Sequence, residues 1–443
     1  NSSRPKIPKM YYNKVSYKFN PKMTRSQKRI AISLLTLFFV LSGTILISLL
    51  ARGYRPDFQE KELKPTGLLV VNSFPKGAQV FINGKLTTAT NQTINLPPGE
   101  YRVTIKKPGF SSWEKNITLE KEIVTNIDAY LFPLAPDLKA LTFSPTLNPL
   151  LSPDGTKLIY FSPQERENPQ DQNATQTATL LAQERGGIWL IDLTEKPLGR
   201  SFQPRLLVKT PQDLSLEQIE TEWSPDSRQI LLTINSKDEK SKQYFLLEVN
   251  QTYDFTLSPL ISTTSAQVIT ILNSWEKQKN QQNKALLKRL PEEMQTLLEE
   301  KAVSFSFSPD ESKVLYQAGS DFQIKEKLLP HEIIGASTQK EERTVKKNQW
   351  YVYDLREDKN FLVLSNEENT KISWFPTSLH LLLIKEGEVA IEDYDGKVRT
   401  TVYAGPFDNG FVFPLPSAKG LLILTSLNNN TDYTPNLYSI NFY

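Results

Sequence analysis

Side chains that commonly carry catalysis or bind metals are scarce in this sequence. It contains no cysteine and only two histidines, His331 and His380, which lie far apart in the chain. Disulfides, thiolate metal sites and thiol nucleophiles are therefore excluded, and neither a zinc site nor a histidine-based triad is expected. Asp and Glu number 49. A glycosidase, which needs two carboxylates about 5–9.5 Å apart in a pocket, therefore stays open as an alternative.

The sequence lacks motifs for several common enzyme classes. It has no Gly-x-Ser-x-Gly nucleophile elbow, no phosphate-binding lysine loop and no dinucleotide-binding glycine pattern. The acidic run from Glu392 to Gly396, Glu-Asp-Tyr-Asp-Gly, resembles a calcium loop only in composition, because it lacks the ligand spacing of an EF-hand. We interpret this run as a hairpin turn. We predict no enzymatic activity, no cofactor and no catalytic, cofactor-binding or metal-binding residue.

The run from Ile30 to Leu50 reads IAISLLTLFFVLSGTILISLL and contains no charged residue. A helix of that length spans about 31 Å, which matches the hydrocarbon core of a bilayer. Its Ser and Thr hydroxyls can bond back to the helix backbone, so they oppose insertion weakly. A cleaved signal peptide would have a shorter apolar run and small residues before the cut, whereas Leu49 precedes Ala51 here. We therefore predict a transmembrane helix.

Charge is distributed unevenly about this predicted span. Residues 1–29 carry nine Lys and Arg and no Asp or Glu, and the residues after the span carry 43 basic and 49 acidic side chains. The positive-inside rule then predicts a cytoplasmic N-terminus and a C-terminal bulk that is extracellular or periplasmic. Attraction to anionic inner-leaflet lipids explains the basic segment more simply than nucleic-acid binding does. We therefore expect the chain to contact the membrane and not to bind nucleic acid.

A compact all-β unit is predicted next, over residues 67–133. Strands are expected at 67–73, 79–84, within 94–110, at 113–119 and at 123–132, and they form a small β-sandwich. Asn83-Gly84 is a strong hairpin signal because both residues tolerate positive φ.

This unit resembles the PEGA domain, a small β domain. The resemblance fixes three turns and one alternating strand. It rests on Pro75, Gly77, Ala78, Val80, Ile82, Asn83, Gly84, Leu96, Pro97, Pro98, Gly99, Tyr101, Val103, Lys107, Pro108, Gly109, Phe110 and Trp113. The sequence departs from the tetrapeptide that names the family at Lys76, a turn position where Glu is usual. The resemblance implies a non-catalytic, envelope-facing module.

The remainder, residues 137–443, repeats a four-strand unit. Three copies carry a related turn, in SPDGTKLIYFS (152–162), SPDSRQILLTI (224–234) and SPDESKVLYQA (308–318), and weaker copies follow at 372–402 and 411–442. Pro sets φ and Asp bonds its own backbone, which makes Ser-Pro-Asp a turn. A repeated four-strand unit predicts a β-propeller, with five blades expected and six as the alternative. The turns resemble those of TolB-type propellers.

Two insertions interrupt this repeat. Residues 163–186 are polar and are expected to form a loop. Residues 264–301 show helical spacing in Val268, Ile271, Leu272 and Trp275, so a helical hairpin is predicted between blades two and three. We expect the hairpin to pack on the flank of the propeller, with a partner-binding role as the alternative.

Counting strands predicts how the propeller closes. The fifth blade ends at Tyr443 on what should be its third strand, and the segment 138–143 precedes the first blade without a partner. An unpaired edge favours aggregation. We therefore predict that 138–143 crosses over to pair with 437–442. Outer strands are expected at 205–208, 255–257, 361–364 and 399–403.

The expected domain order is a cytoplasmic tail (1–29), a transmembrane helix (30–50), a linker (51–66), a sandwich (67–133) and a propeller (137–443) with the helical insertion 264–301. The predicted function is a single-pass envelope protein that presents the propeller outside the cell. Its expected ligand is a cell-surface polysaccharide or a protein partner. The alternative is a propeller glycosidase or another carbohydrate-active enzyme at the cell surface.

Overall fold

A computed structural model of the chain describes residues 25–51, 54–57, 62–163, 186–195, 202–209, 219–235, 242–254, 262–330, 337–365, 367, 369–408, 410–426 and 435–443. Nearly all of the predicted loop at 163–186 and the predicted outer strand at 255–257 lie outside these residues.

The apolar run forms one helix, α1 (Arg25–Ala51), none of whose residues is buried. By length and composition the helix can cross a membrane. Its hydroxyls bond to the preceding turn as predicted: Thr36 Oγ1 donates to the Ile32 carbonyl at 2.9 Å and Thr44 Oγ1 to the Val40 carbonyl at 2.8 Å. Such bonds satisfy hydroxyl groups without help from water, as a helix that crosses a bilayer requires.

The sandwich consists of two sheets, with strand orders β6-β3-β9 and β5-β4-β7-β8. A short antiparallel pair, β1 (Arg55–Asp57) and β2 (Glu62–Lys64), precedes it. The sandwich strands are β3 (Gly67–Phe74), β4 (Gln79–Ile82), β5 (Lys85–Ala89), β6 (Gln92–Leu96), β7 (Gly99–Lys106), β8 (Trp113–Leu119) and β9 (Val124–Tyr130).

The predicted sandwich is confirmed, and its core is formed by alternating strand residues such as Leu69, Val80 and Ile105. Asn83 and Gly84 have φ values of 51° and 80°, as a tight hairpin requires. Strands β5 and β6 were not predicted. Strand β5 is polar apart from Leu86 and Ala89 and lies at the surface, so it lacks the apolar alternation that reveals a strand. Strand β6 has a single apolar pair, Ile94 and Leu96, which packs against the core.

The propeller region contains, within the described residues, five sheets of four or five strands, which we call blades one to five. Their orders are β11-β12-β13-β14-β18, β15-β16-β17-β19, β20-β21-β24-β25, β26-β27-β28-β29 and β30-β31-β32-β10. A separate pair, β22 with β23, lies in the connection between β21 and β24.

The strands of blades one and two are β11 (Leu147–Leu151), β12 (Lys157–Ser162), β13 (Gly187–Asp192), β14 (Pro204–Lys209), β15 (Ile219–Trp223), β16 (Gln229–Asn235), β17 (Lys242–Glu248), β18 (Tyr253–Asp254) and β19 (Ser262–Thr263). Blade two therefore takes β19 as its fourth strand. Strand β18, which precedes β19 in the chain, pairs in parallel with β14 of blade one instead.

The strands of blades three to five are β20 (Ala302–Phe307), β21 (Lys313–Ala318), β22 (Phe322–Gln323), β23 (Thr344–Val345), β24 (Trp350–Asp354), β25 (Lys359–Leu364), β26 (Lys371–Trp374), β27 (His380–Lys385), β28 (Glu388–Asp393), β29 (Arg399–Ala404), β30 (Val412–Pro414), β31 (Gly420–Thr425) and β32 (Asn436–Asn441). The predicted outer strands at 205–208, 361–364 and 399–403 lie in β14, β25 and β29.

The Ser-Pro-Asp turns are held by the Ser and Asp side chains. In blade three, Ser308 Oγ donates to Asp310 Oδ1 at 2.7 Å and accepts the Lys313 N–H at 2.9 Å. Burial raises the pKa of Asp310, but hydrogen bonds from Ser312 and Ser308 outweigh it and lower the pKa to about 2.

These turns are also linked between blades. The Asp154 N–H of blade one donates to Ser227 Oγ of blade two at 3.1 Å, and the Asp310 N–H of blade three donates to Ser378 Oγ of blade four at 3.0 Å. In blade three, Glu311 occupies the turn position that Ser227 occupies in blade two. Glu311 pairs with Arg289 from the helical insertion.

The predicted pairing of the segment before blade one with the last strand of the chain is confirmed. Strand β10 (Asp137–Ala140) pairs antiparallel with β32, with Leu138 opposite Ile440 and Ala140 opposite Tyr438. The Leu141 N–H extends this ladder by donating to the Leu437 carbonyl at 2.8 Å. The last blade thus obtains its outer strand from the segment that follows the sandwich.

The predicted helical hairpin is present, as α2 (Ser265–Leu287) and α3 (Glu292–Glu300). Buried apolar residues of the hairpin, including Leu290, Met294 and Leu298, pack against Tyr316 and Tyr351 of blade three. This packing agrees with the prediction that the hairpin covers the propeller.

The hairpin lies at an unusual boundary. In the described parts of the chain, buried apolar clusters join blades one and two, three and four, four and five, and five and one. No such cluster joins blades two and three. Alternate residues of β21 point to opposite faces: Leu315 packs toward blade four, and Tyr316 packs under the hairpin. The hairpin therefore covers the face of blade three that would otherwise meet blade two.

Replacing Leu141 with Pro should destabilise the whole propeller by about 3 kcal/mol, because it removes a ladder hydrogen bond and strains the strand. Thermal unfolding of the full chain should show one transition at lower temperature. Phe143→Ala is the matched control, since Phe143 is 85% exposed on the same segment. An unchanged main transition with only a small early loss of signal would contradict closure by β10.

Replacing Met294 with Ala should cost about 2–5 kcal/mol, since Met294 is fully buried between the hairpin and blade three and the change leaves a cavity. Ile269→Ala on α2 is the control, because Ile269 is 60% exposed and its change should stay within about 0.5 kcal/mol. Denaturant titration measures both values. Equal effects of the two changes would mean that α3 is not part of the core.

Candidate functional site

The described residues bring charged side chains together where the sandwich meets the propeller. A cavity of about 270 Å³ lies between strand β8 and the turns of blades three and four, and both domains contribute to its wall. We call Lys115, His380, Asp393 and Asp395 the interdomain cluster, since these four side chains lie within this wall.

Strand alternation places Lys115 at the interface. Trp113, Ile117 and Leu119 are buried on β8, and Lys115 shares their face of the strand. A lysine at an apolar position of the alternation needs a charged partner when the surface is covered.

The partner carboxylates come from the acidic run, which forms the predicted hairpin turn between β28 and β29. Gly396 has φ of 71°, and a Cβ at this position would lie 2.6 Å from the Leu362 carbonyl oxygen. Both the turn and the close approach therefore require glycine. The turn directs Asp393 and Asp395 toward the sandwich.

Lys115 bridges the two carboxylates. Its Nζ lies 2.7 Å from Asp393 Oδ2 and 2.6 Å from Asp395 Oδ2. The Trp113 indole N–H also donates to Asp393 Oδ2 at 3.3 Å. Lys115 and Asp395 are separated by 280 residues in sequence, so this contact joins two distant parts of the chain.

Burial and charge compete at these groups. Burial lowers the pKa of Lys115, but Asp393 and Asp395 outweigh burial and raise it, so the ammonium stays charged. Burial raises the pKa of Asp395, and the attraction of Lys115 opposes this without cancelling it. The interaction therefore depends on Lys115, because without it two buried carboxylates would face each other.

His380 lies behind this pair as a neutral imidazole. Burial lowers its pKa to about 3, and the nearby Lys115 charge acts in the same direction. Thr377 Oγ1 accepts the Leu379 N–H and lies 2.8 Å from His380 Nδ1. Nε2 lies 3.4 Å from Asp393 Oδ1, so the tautomer with its proton on Nε2 directs an N–H toward that carboxylate.

A second buried pair extends the charged wall. Lys313 Nζ lies 3.5 Å from Asp354 Oδ2 and 4.7 Å from the centre of the Tyr394 ring. Burial raises the pKa of Glu357, whose Oε2 accepts the Ser337 N–H at 2.8 Å.

Aromatic packing surrounds the interdomain cluster. Phe132, at the end of the sandwich, belongs to the buried cluster that joins blades four and five. The ring of Tyr443 lies 4.4 Å from that of Phe74, and its hydroxyl donates to the Leu131 carbonyl. The sandwich is thus joined to the propeller by apolar contacts as well as by ion pairs.

This arrangement is suited to holding two domains together. The cavity is smaller than the usual 300–1,000 Å³ of small-molecule sites, and the buried Asp354, Asp393 and Asp395 each contact a lysine. In the part of the chain that the structure describes, no group of three or more His, Asp and Glu could hold a metal ion.

The glycosidase alternative needs carboxylates, which the first strand of each blade could supply. These strands are β11, β15, β20, β26 and β30. Among these described strands, only β15 carries carboxylates, Glu220 and Glu222, and both are exposed. Asn235 Nδ2 donates to Glu220 Oε1 at 3.0 Å. A general acid usually gains its function from burial, which neither side chain has.

The sequence indicates some residues of the interdomain cluster, but it does not predict that they lie close together. The acidic run was recognised as a turn, and His380 was seen as an isolated histidine. Lys115 was missed, although its apolar position on β8 was the available signal. His331 lies outside the described residues.

Comparison with protein families agrees with this architecture. Residues 66–134 match the model described as the PEGA domain. The chain therefore carries a PEGA domain ahead of its β-propeller. A comparison with curated proteins finds no match.

Solved structures similar to this chain are also propellers. Putative TolB from Agrobacterium tumefaciens is 11% identical over 68% of this chain and 74% of that chain, with a TM-score of 0.21. TolB from Acinetobacter baumannii is 13% identical over 77% and 59%, with a TM-score of 0.20. The propeller domain of the Trilobed protease from Pyrococcus furiosus is 12% identical over 85% and 96%, with a TM-score of 0.19. The propeller assignment here follows from the strand order itself.

Replacing Lys115 with Met should destabilise the chain by about 3–5 kcal/mol, because two buried carboxylates lose their cation. The triple variant Lys115→Met/Asp393→Asn/Asp395→Asn should recover most of this loss. Lys121→Met, an exposed lysine of the sandwich, is the control. Urea titration at pH 7 measures these differences.

The stabilities of Lys115→Met and of the triple variant should depend differently on pH. Burial raises the pKa of Asp395, so the folded Lys115→Met variant takes up a proton more readily than its unfolded state. Its stability relative to the triple variant should rise as the pH falls below neutral. Equal stability of Lys115→Met and wild type would show that the ion pairs do not hold the interface.

Proposed function

We propose that this chain is a single-pass, membrane-anchored envelope protein that presents its propeller outside the cell to bind a surface polymer or a protein partner. The interdomain cluster carries this proposal. It fixes the PEGA domain to blade four, so the propeller has a defined orientation relative to the segment that leads from α1.

The linker supports the same arrangement. Tyr54 follows the end of α1, at Ala51, by three residues. Its hydroxyl donates to Glu122 Oε1 of the sandwich at 3.0 Å. With nine basic residues before the span, the positive-inside rule favours a cytoplasmic N-terminus. A non-catalytic role is favoured because the buried carboxylates of the interdomain cluster are paired with Lys115.

The absence of cysteine from the sequence allows a direct test of orientation. Ser3→Cys and Phe143→Cys each introduce one thiol, and Phe143 is an exposed position beyond the sandwich. A membrane-impermeant maleimide should label Phe143→Cys in intact spheroplasts and Ser3→Cys only after permeabilisation. Retention of the labelled Ser3→Cys residue in the membrane fraction would also show that α1 is not removed.

The opposite labelling pattern would overturn the orientation, and loss of the Ser3→Cys segment would identify α1 as a signal sequence. Release of a chromogenic group from aryl glycosides by the wild-type chain, abolished in Glu220→Gln, would contradict the non-catalytic role.

A further inference from the structure

A concave site lies at the end of blade three that is opposite its Ser-Pro-Asp turn. It has a volume of about 450 Å³, and its polar wall consists of Gln317, Asn348, Trp350, Glu367, Asn369 and Thr370. We call it the blade-three pocket. Its volume falls within the range of small-molecule binding sites.

Regular strand pairing builds the floor of this pocket. Gln317 on β21 is opposite Trp350 on β24, and Trp350 is opposite Leu364 on β25. The three side chains therefore lie side by side on one face of the sheet. The other wall comes from Glu367, Asn369 and Thr370, which precede blade four in the chain. A rigid ladder thus positions an aromatic side chain beside an amide.

The polar groups of the pocket have few partners within the protein. Among the described residues, the side-chain amides of Gln317, Asn348 and Asn369 make no hydrogen bond, and Thr370 Oγ1 is enclosed without a partner. An enclosed polar group that lacks a partner is costly and calls for an explanation. Thr370 Oγ1 is such a group. The amides of Gln317, Asn348 and Asn369 add donors and acceptors that can bond to a ligand with several hydroxyl groups.

The charge of the described lining favours a neutral ligand. Among its described lining residues the one carboxylate, Glu367, is paired with Lys385 and with Arg399 at 2.9 Å. The same described lining contains no lysine or arginine, so it offers no cation to a phosphate or carboxylate ligand. A neutral ligand with an apolar face for Trp350 and hydroxyls for the amides fits this chemistry.

We propose that the blade-three pocket binds a neutral pyranose unit of a polysaccharide. The C–H face of the sugar packs on Trp350, and its hydroxyls bond to Gln317, Asn369 and Thr370. This inference rests on the proposed binding role and names the class of ligand.

Isothermal titration calorimetry on the full chain tests the proposal. The protein is held in phosphatidylcholine nanodiscs, because detergents with sugar headgroups would compete. The probes are chitotriose, cellotriose and maltotriose, with glutamate as an ionic control. At least one trisaccharide should bind saturably and glutamate should not.

Three variants locate the site. Trp350→Ala should weaken trisaccharide binding at least tenfold, and Asn369→Ala about fivefold. Trp189→Ala, a half-buried tryptophan on the third strand of blade one, should leave the affinity unchanged. Trp350→Phe keeps an aromatic ring, so it should fold and retain most of the affinity. It replaces Trp350→Ala in the comparison if that variant proves unstable.

Thr370→Val separates ligand binding from structure. It removes a hydroxyl that has no protein partner, so the melting temperature of the free protein should stay the same or rise while sugar affinity falls about fivefold. Absence of binding to all three trisaccharides, or binding that Asn369→Ala and Thr370→Val leave unchanged, would overturn the proposal. Maleimide labelling tests the orientation independently, so either idea can fail alone.

Discussion

The pairing of β10 with β32 is the constraint on which the rest of the structure depends. It brings the segment after the sandwich beside the last strand of the chain, with Leu138 opposite Ile440. Because Tyr443 follows directly and contacts Phe74 of the sandwich, the same pairing positions the PEGA domain on the propeller. The interdomain cluster adds a charged contact to the same interface.

Much of this fold could be predicted from local chemistry. Pro and Asp define the Ser-Pro-Asp turns, Asn83-Gly84 defines a hairpin, and a strand without a partner predicts closure by β10. Each of these signals acts over a few residues or follows from counting strands. Strand β5 failed the same reasoning because Lys85 and Thr87 give it no apolar face, and β19 is only two residues long.

The candidate site was harder to predict because its parts are distant in sequence. No local pattern connects Lys115 to Asp395, and only the docking of two finished domains brings them together. The position of the helical hairpin was predicted, but not its place against Tyr316 and Tyr351. That packing depends on which face of blade three is left uncovered, which periodicity alone does not reveal.

The missing cluster between blades two and three changes how the propeller can be viewed. The buried clusters follow one another in the order two, one, five, four, three, which describes a linear array of repeats with two ends. In such arrays each repeat is stabilised by its neighbours, and an end repeat needs a cap with a polar outer surface. Helix α3 supplies such a cap, with Met294 inward and Glu299 and Glu300 outward. The strand that closes the fold therefore lies at the middle of the array, where it stabilises the neighbours on both sides.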